Sequence, residues 1–504
     1  MRFKKSTLLV ALLSAQILTM STSSFADTTD DIVNALIAKG VLTEEEGALL
    51  MKGRTGEKEA AEKKKESAVS AKYKDGLSFE SGDGKFKASI NGRVHADYRF
   101  FDYNDGDRNA PPLAASVTNS IGNVTNVTDT FDMRRARLGF KAAWKDYYEA
   151  EVVADLGNTT TLDVGYFNIA WWKPVQFRFG QFKMPMNLEE LTSSNNIDFM
   201  ERSYVNQLAP TKEIGLMVHG TPFTGVTYAL AGSNGSLKNA ESDIREDGKD
   251  IIGRVTANFA EILDKKDMVM HVGASFSQGD LPQGKVGVDG RTEGRGATFF
   301  RSPTLSNAPF QNIDRSRLGA EGALAYGPFK VQAEWMQLNN DFKTNARSYD
   351  LDIENWYAEA LWTITGEAYA DAYKGGIFGG LKPKNDFDPT TFKGGLWELG
   401  LRYSKFDASD YNSAGVGNGS ANDVGFGTTT GAAAATNLKA VGFAKADAWT
   451  AGIKFLPTAN TRLMLNYVTT DFKDAIGGAT GGIVINNKRV DDEKAVIMRA
   501  QWMF

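Results

Sequence analysis

The sequence predicts an all-β fold: a 16-stranded antiparallel transmembrane β-barrel with an inward-folded third loop and a short N-terminal helical segment. Three observations carry this expectation. Short segments of period-two alternation recur from Lys72 to Phe504. The connections between them alternate between tight and long. The chain opens with an export signal, yet no later stretch approaches the roughly 20 apolar residues a membrane helix needs.

The N-terminus comes first. Arg2, Lys4 and Lys5 precede an apolar run from Leu8 to Leu18, and a polar patch closes with Ser24-Phe25-Ala26. That is the layout of a secretory signal peptide over 1–26, with cleavage after Ala26. The chain has no cysteine, which excludes a disulfide scaffold and a thiolate nucleophile. Its formal net charge is −5 at pH 7, and its mean hydropathy is −0.32. An acidic balance of this kind argues against nucleic acid as a partner. Residues 27–71 read as a periplasmic helical or linker segment. Ile32, Leu36 and Ile37 have helical spacing, Gly40 is a stop, and Thr43 with Glu46 fits a capping box opening a second helix. A run of mixed charges, Lys58 to Glu66, follows.

Residues 72–504 form the expected barrel domain. The alternation places strands near 86–100, 130–144, 147–155, 161–172, 175–182, 212–219, 225–232 and 249–259. Eight more fall near 267–277, 315–326, 328–339, 354–365, 394–406, 446–455, 461–471 and 493–504. Lys145-Asp146, Lys173-Pro174, Gly220–Thr224 and Gly327-Pro328 are tight turns. Long loops lie at 101–129, 183–211, 233–248, 278–314 and 407–445. Short turns at one end and long loops at the other mark an outer-membrane barrel. One connection, 366–393, is long where a short turn is expected.

The faces separate a membrane barrel from a soluble sandwich. In NGRVHADYRF, residues 91–100, Val94, Ala96, Tyr98 and Phe100 oppose Arg93, His95, Asp97 and Arg99. In 130–144, Ala136, Leu138, Phe140, Ala142 and Trp144 oppose Arg135, Arg137, Gly139 and Lys141. In the last strand Val496, Met498, Ala500, Trp502 and Phe504 oppose Arg499 and Gln501. Tyr98, Trp144, Trp171, Trp172, Trp356, Trp362 and Trp502 lie near predicted strand ends, where a barrel carries its interfacial girdles. Closure leaves no unpaired edge in lipid. The charged faces are therefore expected to line a wet lumen.

At this point the sequence resembles the phosphate-selective porin O and P family. NGRVHADY is similar to the family's first strand and FDMRRARLGF to its second. RFGQFKMPMNLEELTSSNNIDFMERS is similar to its fifth strand and inward-folded third loop. LWTITGE, LKPKN and LWELGLRYSKF are similar to its late strands, including the long connection. The resemblance covers roughly 77–504. It implies an outer-membrane diffusion porin of a Gram-negative bacterium, commonly a homotrimer, passing small anions such as phosphate. It also implies that Phe504 is read by the outer-membrane insertion machinery.

Loop 183–211 is the candidate constriction. Fixed charge is screened within a Debye length of about 10 Å at 0.1 M salt, so selectivity needs a narrowed zone. By strand parity the lumen-facing cations are Arg93, Arg135, Arg137, Arg178, Arg254, Arg317, Arg402 and Arg499. Asp97, Glu321, Glu334, Glu359 and Glu398 share those faces. Arginine stays charged and offers a planar set of donors to oxyanions. Lys183, Ser193, Ser194 and Arg202 join the expected constriction. Arg291, Arg295 and Arg301 in loop 278–314 resemble the family's arginines above it. The loop departs from the family pattern where Glu190 replaces a lysine, Asn195 a second lysine, and Asn168 a lumenal aspartate. These departures favour anion preference over phosphate specificity.

Other readings are a general non-specific porin, an outer-membrane adhesin or structural anchor, and a barrel enzyme. Only His95, His219 and His271 could serve an enzyme as imidazole bases, with no ordered nucleophile in view. HExxH, GxxxxGK[ST] and CxxC patterns are absent, so no metal, nucleotide or other cofactor is expected.

Overall fold

Alternating side chains on a pleated strand give two chemically different faces, and a sheet with one oily and one charged face must find a different medium for each. The computed structural model describes residues 28–52, 68–73, 76–103, 129–157, 160–235, 249–281, 288–302, 313–343, 348–413, 440–476, 482–485 and 488–504. The expected signal peptide, the charge run 58–66 and most of loops 101–129, 233–248 and 407–445 lie outside them. The chain divides into two compact units, Met1–Ala68 and Val69–Phe504.

In the first unit a helix spans Thr28–Ala38, and residues 44–52 are helical. The second helix opens on a reciprocal cap. The Thr43 amide donates to Glu46 Oε2 at 2.9 Å, and the Glu46 amide donates to Thr43 Oγ1 at 3.2 Å.

The second unit is a closed antiparallel barrel. Its strands are β1 (Phe86–Asp102), β2 (Thr130–Trp144), β3 (Tyr148–Asp155), β4 (Thr161–Trp172), β5 (Val175–Lys183) and β6 (Lys212–Phe223). Next come β7 (Val226–Ser233), β8 (Asp250–Asn258), β9 (Met268–Leu281), β10 (Ile313–Tyr326) and β11 (Phe329–Lys343). The last five are β12 (Ser348–Thr363), β13 (Leu396–Asp407), β14 (Val441–Thr458), β15 (Thr461–Ala475) and β16 (Asp492–Met503). Each pairs with the next, and β16 returns to β1 from Lys494↔Asp102 to Met503↔Arg93. Closure satisfies every edge, as hydrocarbon requires. A hairpin absent from the sequence reading, Val69–Tyr73 with Leu77–Ser81, pairs onto the start of β1.

The faces are inverted relative to a soluble protein. Phe131, Leu138, Phe140, Leu216, Val255 and Leu318 are exposed on the outside, while His95, Asp97, Arg99, Arg402 and Arg499 are buried within. Trp144, Trp171 and Trp172 are exposed beside short turns, Trp362 beside the long connection and Trp502 at the end of the last strand. Trp356 is instead mid-strand, because β12 begins at Ser348, six residues before the alternation places it.

Local chemistry fixes the ends. Lys145 and Asp146 take φ of 51° and 56°, the left-handed backbone that lets three residues turn the chain between the paired Trp144 and Tyr148. The terminal residue is held by exchange of backbone bonds: Gly92 N donates to Phe504 O at 2.8 Å, and Phe504 N to Gly92 O at 3.1 Å. A Cβ on Gly92 would lie 2.5 Å from the Phe504 ring, so the glycine makes room for the aromatic terminus.

Candidate functional site: a cationic passage beside the third loop

Residues 184–211, between β5 and β6, bond to the inner faces of β10–β13, β16 and β1. Arg402 Nη2 donates to Glu201 O at 3.0 Å, Arg499 Nη1 to Met200 O at 2.8 Å and Arg317 Nε to Leu208 O at 2.7 Å. Glu334 accepts the Leu188 and Glu189 amides at 2.7 and 2.8 Å, at the start of the one-turn helix Leu188–Leu191. Asn355 reaches Tyr204 O, Lys330 pairs with Asp198, and Arg93 Nη1 donates to Ser194 Oγ at 2.9 Å.

The long connection 364–395 enters the same interior. Tyr373 OH lies 2.7 Å from His271 Nδ1, Arg254 Nη2 donates to Gly376 O at 3.0 Å, and Phe378 is buried. Its length therefore supplies a second inward element, whose Tyr369 and Phe378 pack in one apolar cluster with Leu188 of the third loop.

An open space of about 630 Å³ remains along β1–β8. Arg93, Arg135, Arg137, Arg178, Lys183, Ser193, Ser194 and Arg202 all line it. Its lysines and arginines number nine, the six just named and Lys141, Lys212 and Arg254, against the carboxylates Glu151, Asp163 and Glu190. The inward arginines thus divide into two groups. Arg317, Arg402 and Arg499 are committed to loop carbonyls and buried carboxylates; Arg402 also meets Glu189 and Glu293, and Arg499 meets Asp97 twice at 2.7 Å. Arg254 lines the space but is paired with Glu321. Arg135, by contrast, has Nε and Nη1 buried with no hydrogen-bond partner among the described residues, and Arg178 Nε is likewise unmatched.

Glu190 does not stand as a bare negative charge. Arg202 Nη1 is 3.3 Å from its Oε2 and Lys183 Nζ 3.9 Å from its Oε1. Both cations also cap the one-turn helix. Lys183 donates to the carbonyls of Glu190, Leu191 and Thr192, and Arg202 donates to those of Glu189, Glu190 and Thr192. Burial resists the Glu190 charge, but Arg202, Lys183 and Lys212 outweigh it and hold its carboxyl below the usual range.

Parity missed two charged residues. The β1–β2 register jumps from His95↔Arg135 to Ala96↔Met133, leaving Arg134 as an extra residue. The bulge turns Arg134 inward, where Nε meets Glu201 Oε1 at 2.8 Å. A second bulge, between Val153↔Val164 and Ala154↔Leu162, does the same for Asp163, which pairs with Arg137 at 2.7 Å and Lys212 at 2.8 Å. The signal was present: on strict alternation Arg134 would face lipid, at a cost of up to about 2–4 kcal/mol near the midplane.

Arg291, Arg295 and Arg301 do not line the open space. Arg301 closes on Asp289 within the hairpin Asp289–Arg291/Thr298–Arg301. Arg291 donates to Arg295 O, and Arg295 Nη1 lies 4.0 Å from Glu201. Burial would raise the Glu201 carboxyl, yet Arg134, Arg295 and Arg99 hold it well below the ordinary range. The histidines are bonded to neighbouring side chains: His95 to Asn195, His219, which lines the space, to Asn168, and His271 to Tyr373 and Glu321.

The family model for phosphate-selective porin O and P matches residues 114–504. Porin O of Pseudomonas aeruginosa is 27% identical over 467 residues, covering 86% of this chain and 92% of that protein. Among solved structures, an anion-selective porin from Comamonas acidovorans aligns at 12% identity with a TM-score of 0.46, over 83% of this chain and 100% of that one. The outer-membrane channel DcaP of Acinetobacter baumannii aligns at 11% identity and 0.45, over 84% and 99%. Family and fold point to a channel rather than an enzyme. The chain belongs to the phosphate-selective porin O and P family and is a barrel porin of a Gram-negative outer membrane.

Proposed function

We propose that this barrel is a passive diffusion pore that prefers small anions, with Arg93, Arg135, Arg137 and Arg178 of the wall beside Lys183, Ser193, Ser194 and Arg202 of the third loop as its constriction. The observation that carries the reading is charge placement. The chain as a whole is acidic, at −5, while the open space beside the loop has nine lysines and arginines against three carboxylates. An ion in so small a volume passes well within a Debye length of fixed charge, so screening does not remove the bias. Arg291, Arg295 and Arg301 act above the constriction as a further source of positive potential.

Phosphate passes as one oxyanion among several. Lys183 and Arg202 are engaged by Glu190 and by backbone carbonyls, which favours preference over tight dianion binding. The remaining proposals follow the family. Residues 1–26 are a cleaved signal peptide, 27–71 a periplasmic segment, and the working unit a homotrimer in outer-membrane lipid. Phe504 presents the chain to the insertion machinery.

The test is the zero-current potential of the Arg93→Gln/Arg135→Gln double variant in a planar bilayer under a KCl gradient. Chloride preference should fall relative to the unmodified pore. An unchanged potential would place the filter elsewhere.

A further inference from the structure

The wall of the open space is not uniformly polar, although the interior of a water-filled barrel ordinarily is. Val153 of β3, Val164 and Tyr166 of β4, Phe182 of β5 and Met217 of β6 face it from neighbouring strands, and Ile377 of the long connection faces it from within. Arg178 sits among them. Its guanidinium carbon is 4.3 Å from the centre of the Tyr166 ring and 5.9 Å from that of Phe182, and its cross-strand partner is Met217. The rings hold the half-buried guanidinium against the wall of the space; its Nε is buried with no acceptor among the described residues, and the rest of its edge faces the opening. Tyr166 is itself fixed by donating to Glu151 at 2.7 Å.

We propose that this strip makes the passage selective for oxyanions that carry an apolar body, namely monocarboxylates with an aromatic or aliphatic group. Arg178 takes the carboxylate, and Tyr166, Phe182 and Met217 take the body. A bare, hydrated inorganic anion gains nothing from an apolar wall, whereas a ring or alkyl chain sheds water against it. The proposal rests on the anion-preferring reading and names the solute class for that same space.

Chloride current through single channels, titrated with benzoate, acetate and inorganic phosphate, tests it. Benzoate should half-block at a concentration on the order of tenfold below acetate, the ratio that burial of a ring edge supports. Tyr166→Ser and Met217→Gln should both bring that ratio toward one, while Tyr166→Phe, which keeps the ring, should retain it. A benzoate-to-acetate ratio within about twofold in the unmodified pore overturns the proposal, as does stronger block by phosphate than by benzoate. A ratio unmoved in both Tyr166→Ser and Met217→Gln also overturns it. The zero-current potential recorded in the same bilayers separates the two failures: chloride preference without benzoate discrimination removes only the apolar strip, and potassium preference removes the anion reading beneath it.

Discussion

Glu190 shows how a single residue can change the meaning of its neighbours. Arg202 and Lys183 are both bonded to carbonyls of the one-turn helix, and the carboxylate beside them offsets part of their positive charge. Glu190→Gln should therefore raise chloride preference in a bilayer, by about twofold in permeability ratio, since one fixed negative charge disappears within a Debye length of the ion path. A lowered preference would show that the carboxylate's grip on the helix matters more than its charge. Arg202→Ala and Arg499→Ala separate lining from scaffolding. Arg202→Ala should shift the zero-current potential. Arg499→Ala removes two 2.7 Å bonds from the buried Asp97, which keeps Arg99 at 2.6 Å, and should cost about 1.5–3 kcal/mol in folding stability, read as a lowered urea midpoint. Parity in the sequence placed Arg402 and Arg499 on the inner face. It could not show that Arg402 and Arg499 serve the loop, because their partners lie hundreds of residues away.

At the scale of elements, the strands were legible because each is a run of alternating side chains bounded by turn residues, and such signals are local. What was not legible is where alternation breaks. The bulges at Arg134 and Asp163 reverse the expected face from there to the strand end, so that Met133, Phe131 and Leu162 turn outward, and the partner strand's register fixes where each falls. The connection 364–395 was visible as too long for a turn, but its inward course depends on His271, Arg254 and a buried apolar cluster drawn from distant strands. Gly180 marks a different constraint. It takes φ 120° in β5, and a Cβ there would lie 2.3 Å from Gly165 O of the facing strand. Because the obstacle is backbone, Gly180→Ala should destabilise by about 2 kcal/mol or more, with β4 and β5 the first to gain hydrogen exchange. An unaltered urea midpoint would mean the two strands can part without loss.

The molecule as a whole is an inverted solution to burial: apolar side chains outside, ion pairs and loops within. Closure of β16 on β1, sealed by Phe504 against Gly92, removes the last edge. Inside, most ionic groups are matched, and the surplus of positive charge falls where space is left open. That coincidence is the central claim. Its most direct measure is the zero-current potential of the unmodified pore in a planar bilayer separating concentrated from dilute KCl. The account predicts a potential of the sign set by chloride crossing faster than potassium; a potential of the opposite sign would contradict it.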